Sequence, residues 1–306
     1  MSGPNPVDEF RFMSILHKVE YCNKRDMRRF VPFTVAGVQY GWLTRERAAV
    51  VLAHPGVFRL ARGAVTFRPL LDTPARRSRA VAGIAAELAA TGYFPHPRGE
   101  LYAVKNHWSE RPAFRIDRAL NPGFGLRAYG VHVNGVAVGK PGNRDNSQPQ
   151  LWIATRAKDL HVEPGKLDNM VAGGLTADLG VMENLVKECA EEAHLAPRLA
   201  RTARSASVIH YSFESPQGLR ADTLFCYDLA MPASTIPRPS EEVSRYDLMP
   251  LAKALKIVRT TRRFKFNVNL VIIDFAIRQG LITPENEPDF ERIVAGLHER
   301  PDAIVQ

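Results

Sequence analysis

The sequence predicts an α+β protein in which sheets lie between helices, with a small α+β unit ahead of a larger one. Three observations predict it. Strand-like runs rich in Val, Phe, Tyr and Trp recur along the chain. One acidic amphipathic segment sits among them, and the C-terminal part is helical. The order of these elements lacks the regular βαβ alternation of a parallel sheet.

In the first unit, Val31–Leu43 reads as strands. Thr44 sits where an N-cap belongs, and Arg45–His54 is helical until Pro55-Gly56 ends it. Ala64–Arg68 reads as a strand. Thr73-Pro74 offers a cap followed by proline at the first helical position, ahead of an alanine-rich apolar face over Arg79–Ala90. Leu101–Ile116 supplies one or two further strands around Trp108. Asn121-Pro122-Gly123-Phe124-Gly125 is the strongest punctuation, which places a boundary between residues 1–125 and 126–306.

In the second unit, Ala128–Val138 alternates and contains Asn134-Gly135, a two-residue hairpin signal. Leu151–Arg156, Leu167–Ala172, Val208–Phe213 and Thr223–Leu229 read as strands, and Val181–Ala193 as a helix behind the Gly173-Gly174 loop. Asn267 or Asn269 caps a helix through Gln279, with Gly280 as its left-handed stop, and a last helix covers Asp289–His298.

The length of 306 residues suits two domains, and 45% hydrophobic with 24% charged residues is an ordinary globular mix. No apolar run approaches the ~20 residues of a bilayer span; Leu270–Ile277, interrupted by Asp274, reads as a buried helix. The first residues, Met1 to Phe12, lack the basic start and apolar run of a secretory leader. Cys22, Cys189 and Cys226 are too scattered for a disulfide framework or zinc cluster, which suits a reducing, cytoplasmic setting. The net charge of +9 is spread over short clusters. That pattern disfavours a nucleic-acid surface and suits focusing of a small phosphorylated anion.

The chemistry concentrates between Gly173 and Leu195. On a helix, Glu188, Glu191 and Glu192 fall on one face, where their repulsion costs a few tenths of a kcal/mol per pair. A hard divalent cation such as Mg²⁺ or Mn²⁺ reverses that sign, because it takes oxygen ligands beside substrate phosphate. Leu185, Val186, Cys189 and Ala193 form the opposite, apolar face. Gly173 and Gly174 permit a tight loop with backbone close to a ligand.

This segment resembles the Nudix box, Gly-x5-Glu-x7-Arg-Glu-hydrophobic-x-Glu-Glu-x-Gly-hydrophobic. Lys187 takes the arginine position, and Glu188, Cys189, Glu191, Glu192 and Leu195 match in register. The first glutamate is missing near Leu179–Gly180, and His194 replaces the last glycine, where histidine tolerates a left-handed backbone. Tyr129–Gly135, Pro164–Gly174 and Asp274–Arg278 resemble one subgroup: Nudix hydrolases with an extra N-terminal domain of unknown role, alone or fused to thiamine pyrophosphokinase. The resemblance implies an α/β/α sandwich with a mixed sheet, hydrolysis of a nucleoside-diphosphate-like or thiamine-diphosphate-like molecule, and a homodimer. For close relatives it points to oxidised thiamine diphosphate.

On this basis Glu188, Glu191 and Glu192 are the expected metal ligands and catalytic carboxylates, with Lys187 orienting Glu188 or pairing with Glu183. The general base is one of these helix glutamates or an acid from a later loop, for which Glu242, beside Glu241 after a turn-rich stretch, is the candidate. Arg156, Lys166, Asp168, Asn169, Gly173 and Gly174 are the candidate substrate contacts, although Asp168 and Asn169 are equally turn formers. His132, His210 and Cys189 read as core residues, as do Trp152 and Phe213 before any role in ring stacking. Two other classes remain open: an isomerase on the same fold, and a non-catalytic nucleotide- or RNA-binding module.

Overall fold

The computed structural model describes residues 14–137, 149–160 and 162–300. The N-terminal stretch inspected for a leader lies outside them. Among the described residues, no helix is long and apolar enough to cross a membrane.

Helix α1 (Leu16–Cys22) opens the described chain, followed by strands β1 (Phe30–Val35) and β2 (Val38–Thr44). Ala36 and Gly37 both take positive φ between them, the backbone of a tight two-residue hairpin. Thr44 then accepts the Arg47 N–H as the N-cap of α2 (Arg45–Leu52). Strands β3 (Phe58–Ala61) and β4 (Ala64–Phe67) complete a sheet of order β2-β1-β4-β3, in which β1 and β4 run parallel. Thr73 caps α3 (Pro74–Ala90). A hairpin of β5 (Leu101–Val104) and β6 (Phe114–Asp117) follows. Phe33, Phe58, Phe67, Phe114 and Phe124 form one phenylalanine core, with ring centroids 5.1–6.1 Å apart in pairs such as Phe58–Phe67 and Phe33–Phe58.

The second sheet is mixed: among the described residues β11 (Arg204–Ser215), β12 (Gly218–Met231), β7 (Arg127–Ala137), β8 (Gln150–Arg156) and β13 (Val243–Pro250) lie in that order. Short strands β9 (Leu167–Asp168) and β10 (Val171–Gly174) pair with β8 and β7. Strand alternation divides the side chains between two layers. Tyr129, Val131 and Val133 pack against Leu185, Cys189 and Ala193 of α4 (Val181–Ala193), which a short turn of helix, α5 (Pro197–Ala200), follows. Leu151, Ile153, Ile209 and Leu224 face α6 (Leu251–Thr260), α7 (Val268–Arg278) and α8 (Phe290–Leu297). The result is the expected α/β/α sandwich behind a smaller α+β unit. Helix α1 packs into this second core, where Leu16, Val19 and Cys22 meet α7 and α8, and Asn23 Nδ2 donates to Gly296 O at 2.8 Å.

The structure departs from expectation at several places. Asn134-Gly135 is not a hairpin, because β7 runs straight through it. Asn134 is buried, donates to Asp228 Oδ1 at 2.9 Å and accepts from Asn169 Nδ2 at 2.9 Å, while Gly135 leaves room for the Met170 thioether. Strand pairing on both sides overrides the local turn preference. Asn121–Phe124 is a buried 3-10 turn ending in Gly125, whose missing Cβ lets Trp42 backbone approach. Asn267 stands at the N-cap of α7 but donates instead to Tyr211 Oη at 3.3 Å.

A relay of polar side chains crosses the sandwich. His132 Nδ1 lies 2.8 Å from Asn169 Oδ1; Asn169 and Asn134 continue it to Asp228, which Arg278 grips at 2.5 and 3.1 Å. Burial, aided by the Lys265 charge, pushes His132 down to about 4. Between that value and the unfolded ~6.5, the unfolded chain binds the extra proton, so stability rises with pH. We expect this imidazole to cost the native state about 2 kcal/mol on going from pH 7 to pH 5. Urea midpoints at the two pH values should differ less in His132→Gln than in the wild type. Equal differences would refute a neutral buried imidazole.

Candidate active site on helix α4

Helix α4 begins at Gly180, whose N–H donates to Glu183 Oε2 at 2.8 Å, and stops at His194, which adopts the left-handed conformation (φ 53°) in the glycine position. Its apolar side fixes its rotation, and that rotation decides where each carboxylate points. Residues 188 and 192, four apart, face β10. Glu188 packs over Gly173, where a Cβ would overlap the carboxyl group. Glu192 Oε2 accepts the Ala172 N–H at 3.0 Å. Glu191 lies on the flank, its side chain 58% exposed, and pairs with Lys187 Nζ at 2.7 Å.

The three glutamates therefore do not converge as expected: two line the edge of β10 and the third stands outward. Among the described residues, no group of three or more His, Cys, Asp or Glu is gathered to hold a metal ion. Lys187 bridges Glu191 and Glu188, the latter at 3.2 Å, and does not pair with Glu183, which is used at Gly180.

Burial pushes the Glu192 carboxyl well above the usual carboxylate range, and the charges of Asp168, Glu188 and Glu242 add to it against the Ala172 N–H. Burial likewise raises Glu188, with Lys187 opposing and Glu191 and Glu242 reinforcing the shift. Glu242 thus belongs electrostatically to the cluster; it is exposed beside Glu241, just before β13, and its carbonyl accepts the Ala157 N–H at 2.9 Å.

The expected substrate contacts are placed differently. Asp168 is buried and paired with Arg156 at 2.9 Å and Lys265 at 3.4 Å. Burial works to raise its carboxyl, but Lys265, His132 and Arg156 outweigh it and hold the group below the usual range. Arg156 also donates to Val162 O, Asn169 is enclosed in the polar relay, and Lys166 donates to Arg262 O. Asp168, Asn169 and Arg156 thus direct their polar groups to internal partners. Gly173 and Gly174 lie in strand β10 rather than a loop, and both serve close approach, to Glu188 and to the Tyr102 hydroxyl. Cys189 is core filler, its thiol pushed up to about 12 by burial.

Three further residues at the site carry no local sequence motif. Asn184, fully buried one turn before Glu188, donates to Gly174 O at 3.2 Å and Glu188 Oε1 at 3.4 Å, strapping helix to strand. Its spacing from Glu188 was the available signal. Tyr246 Oη lies within hydrogen-bonding distance of Met170 O and Glu192 O, at 3.1 and 3.0 Å. Tyr102 comes from the β5–β6 hairpin of the first unit, which docks on the segment ahead of α4. Ala177 N–H donates to Leu101 O at 2.8 Å, and Arg115 pairs with Asp178 at 2.7 Å. Nothing in local sequence links Tyr102 to Gly174.

That docking can be measured. Gly174→Ala should destabilise the protein by about 1–3 kcal/mol, because the buried Tyr102 phenol must move. In Tyr102→Phe the same substitution should cost less, a coupling of at least about 0.5 kcal/mol in a double-mutant cycle. Strict additivity would show that the hairpin does not rest on β10.

A family model described as "Domain of unknown function (DUF4743)" matches residues 14–128. "Nudix hydrolase 24, chloroplastic" of Arabidopsis thaliana is 38% identical over 286 residues, covering 92% of this chain and 77% of that protein. "Nudix hydrolase 20, chloroplastic" of the same plant is 34% identical over 281 residues, covering 88% and 74%. Among solved structures, the NUDIX domain of Shewanella oneidensis NrtR complexed with ADP ribose is 15% identical and covers 51% of this chain and 90% of that one. Its TM-score of 0.38 is too low to transfer residue positions.

Proposed function

Since the chain belongs to the Nudix hydrolase family and is a Nudix pyrophosphohydrolase, we propose that it cleaves a small organic diphosphate by attack of water on phosphorus at the carboxylates beside β10. The observation that carries this site is the pair Glu188 and Glu192. On one helix side against a strand edge Glu192 is buried and Glu188 half-buried, with the Glu242 charge acting on both and Lys187 the cation paired with Glu188.

A divalent ion fits this donor set by chemistry. Hard carboxylate oxygens whose ionised forms burial disfavours gain from a cation that takes oxygen ligands. Glu188, Glu192 and, after release of Lys187, Glu191 would hold Mg²⁺ or Mn²⁺. Bound there, the ion would neutralise phosphate charge and acidify its water. The chain's own residues do the rest. Gly173 leaves the space in which Glu188 sits, Asn184 and Tyr246 lock α4 to β10 and β13, and Glu242 offers an exposed carboxylate to accept the proton of the attacking water. Tyr102 closes the side of the site beside Gly174.

For substrate we propose a nucleoside-diphosphate-like or thiamine-diphosphate-like molecule, with oxidised thiamine diphosphate the first to try; the support is the subgroup resemblance of residues 164–174. Product analysis by mass spectrometry after incubation with Mg²⁺ or Mn²⁺ across nucleotide, sugar-nucleotide and thiamine diphosphates tests the reading. Conversion of at least one class to its monophosphate products is expected. Recovery of every diphosphate intact would overturn it.

A further inference from the structure

Strand β10 has two faces, and one of them meets α4. Val131 and Gly173, which pair across β7 and β10, point to α4, where Glu188 packs over Gly173. The alternate pairs Gly130–Gly174 and His132–Ala172 therefore point the other way, toward the layer that holds Leu224 and α7. Two paired glycines give that face a floor without side chains. Apart from its chain neighbours, Gly173 O and Leu224 Cδ2 are the only described heavy atoms within 4 Å of where a Gly130 Cβ would stand. Ala172 and Gly174 are half-buried, so the floor opens to solvent along β10.

A polar atom without a partner stands at each end of this floor. At one end is Tyr102, 8% exposed, which the β5–β6 hairpin brings with its hydroxyl over Gly174. Its Oη makes no hydrogen bond among the described residues. Burial pushes this phenol up to about 12, so it stays protonated and can donate. At the other end is His132, 3% exposed, whose tautomer the polar relay fixes. Asp228, gripped by Arg278, can only accept, so Asn134 turns its amide nitrogen to it. Asn134 Oδ1 then accepts from Asn169, which leaves Asn169 Oδ1 to accept from His132 Nδ1. The imidazole proton is therefore on Nδ1, and Nε2 carries a lone pair with no partner among the described residues. The two groups stand on neighbouring rows of one strand face, about 7 Å apart along the strand. Beyond burial, Asp222 of β12 is among the charges that act on both.

The charges around the floor are already paired. Asp222 accepts from Tyr211 Oη and Arg220 Nη2, Asp168 is held by Arg156 and Lys265, and Arg118 by Glu100. What remains for a ligand is a neutral donor and a neutral acceptor above a flat surface, which suits an uncharged planar ring and not a phosphate. We propose that this slot binds the organic end of the substrate, an amino-substituted nitrogen heterocycle whose ring nitrogen accepts from Tyr102 Oη and whose amino group donates to His132 Nε2. This assignment deepens the α4 reading and rests on it: β10 carries the reacting phosphates at one face and the ring at the other. The domain of unknown function, through Tyr102, then takes part in choosing the substrate.

Calorimetric titration in EDTA with adenosine diphosphate and with thiamine diphosphate, each beside an analogue bearing hydrogen in place of the amino group, tests it without hydrolysis. At least one amino compound is expected to bind saturably, and its analogue about tenfold less tightly. Tyr102→Phe should weaken the amino compound about tenfold, and His132→Phe should bring compound and analogue to equal affinity. On the wild type, ¹⁵N resonances of the His132 ring should show a proton on Nδ1 and none on Nε2, and the Nε2 resonance should move on addition of the amino compound but not of its analogue. Equal affinity of compound and analogue for the wild type, saturable binding of none of them, or a proton on Nε2 would overturn the proposal. Conversion of a diphosphate with the amino group making no difference to binding would remove the slot and leave the α4 site standing. Amino-dependent binding with every diphosphate recovered intact would do the reverse.

Discussion

Glu192→Gln is expected to stabilise the folded protein while cutting turnover by at least about 100-fold. The two effects have one cause. The Glu192 carboxyl is enclosed beside the Ala172 N–H, and burial raises its titration well above that of the unfolded chain. Above the unfolded ~4.3, the unfolded chain releases a proton that the native carboxyl retains, so stability falls as pH rises toward the raised native value. Glutamine keeps an oxygen for the Ala172 N–H and removes the ionisation. The variant should therefore gain on the order of 1 kcal/mol at neutral pH in EDTA, with a flatter pH dependence than the wild type. Urea unfolding at pH 5 and pH 8 beside initial rates checks both halves. A destabilised variant, or one that retains full turnover, would show that Glu192 is ordinary packing.

Gly173→Ala is expected to lower kcat about 100-fold with little loss of stability. The added Cβ meets the Cγ and carboxyl group of Glu188, a flexible side chain that can swing away by giving up its contacts with Asn184 and Lys187. Little strain remains in the fold, yet the carboxyl leaves its place, and displacement of a catalytic group by ~1 Å costs about two orders of magnitude. Gly174 makes an instructive contrast. Its neighbour is a buried phenol, so substitution there acts first on stability. Thermal unfolding and steady-state rates on both alanine variants should separate the two glycines; equal effects on both quantities would contradict the placement of Glu188.

Much of this arrangement is legible in the sequence. The limits of α4, the threonine caps at Thr44 and Thr73 and the left-handed turn at His194 follow from short-range chemistry, and the structure repeats them. Failures lie where distant partners decide. Asn134-Gly135 carries a turn signature, but a buried strand with neighbours on both sides gives it no freedom to turn. Helical spacing put Glu188, Glu191 and Glu192 on one side; only the position of β10 shows that the strand faces 188 and 192 and leaves 191 to Lys187. Asp168 reads from sequence as a substrate contact or a turn former, because local sequence does not show that Arg156 and Lys265 pair with it. Helix α1 entered the second core through contacts near residue 296, invisible to any local window.

The same distance dependence explains the first unit's bearing on the site. Tyr102 and Arg115 reach the segment before α4 only after the sheets have docked. A chain lacking the β5–β6 hairpin would leave that segment without its Leu101 and Arg115 partners.

Hydrolysis of an active diphosphate in ¹⁸O-labelled water, followed by mass spectrometry of the products for the wild type and Glu192→Gln, tests the central claim most directly. Label on a product phosphate is expected in the wild type, with its rate of appearance reduced at least about 100-fold in the variant. Label on the organic alcohol, or incorporation at equal rates in both proteins, would contradict attack of water on phosphorus at the β10 carboxylates.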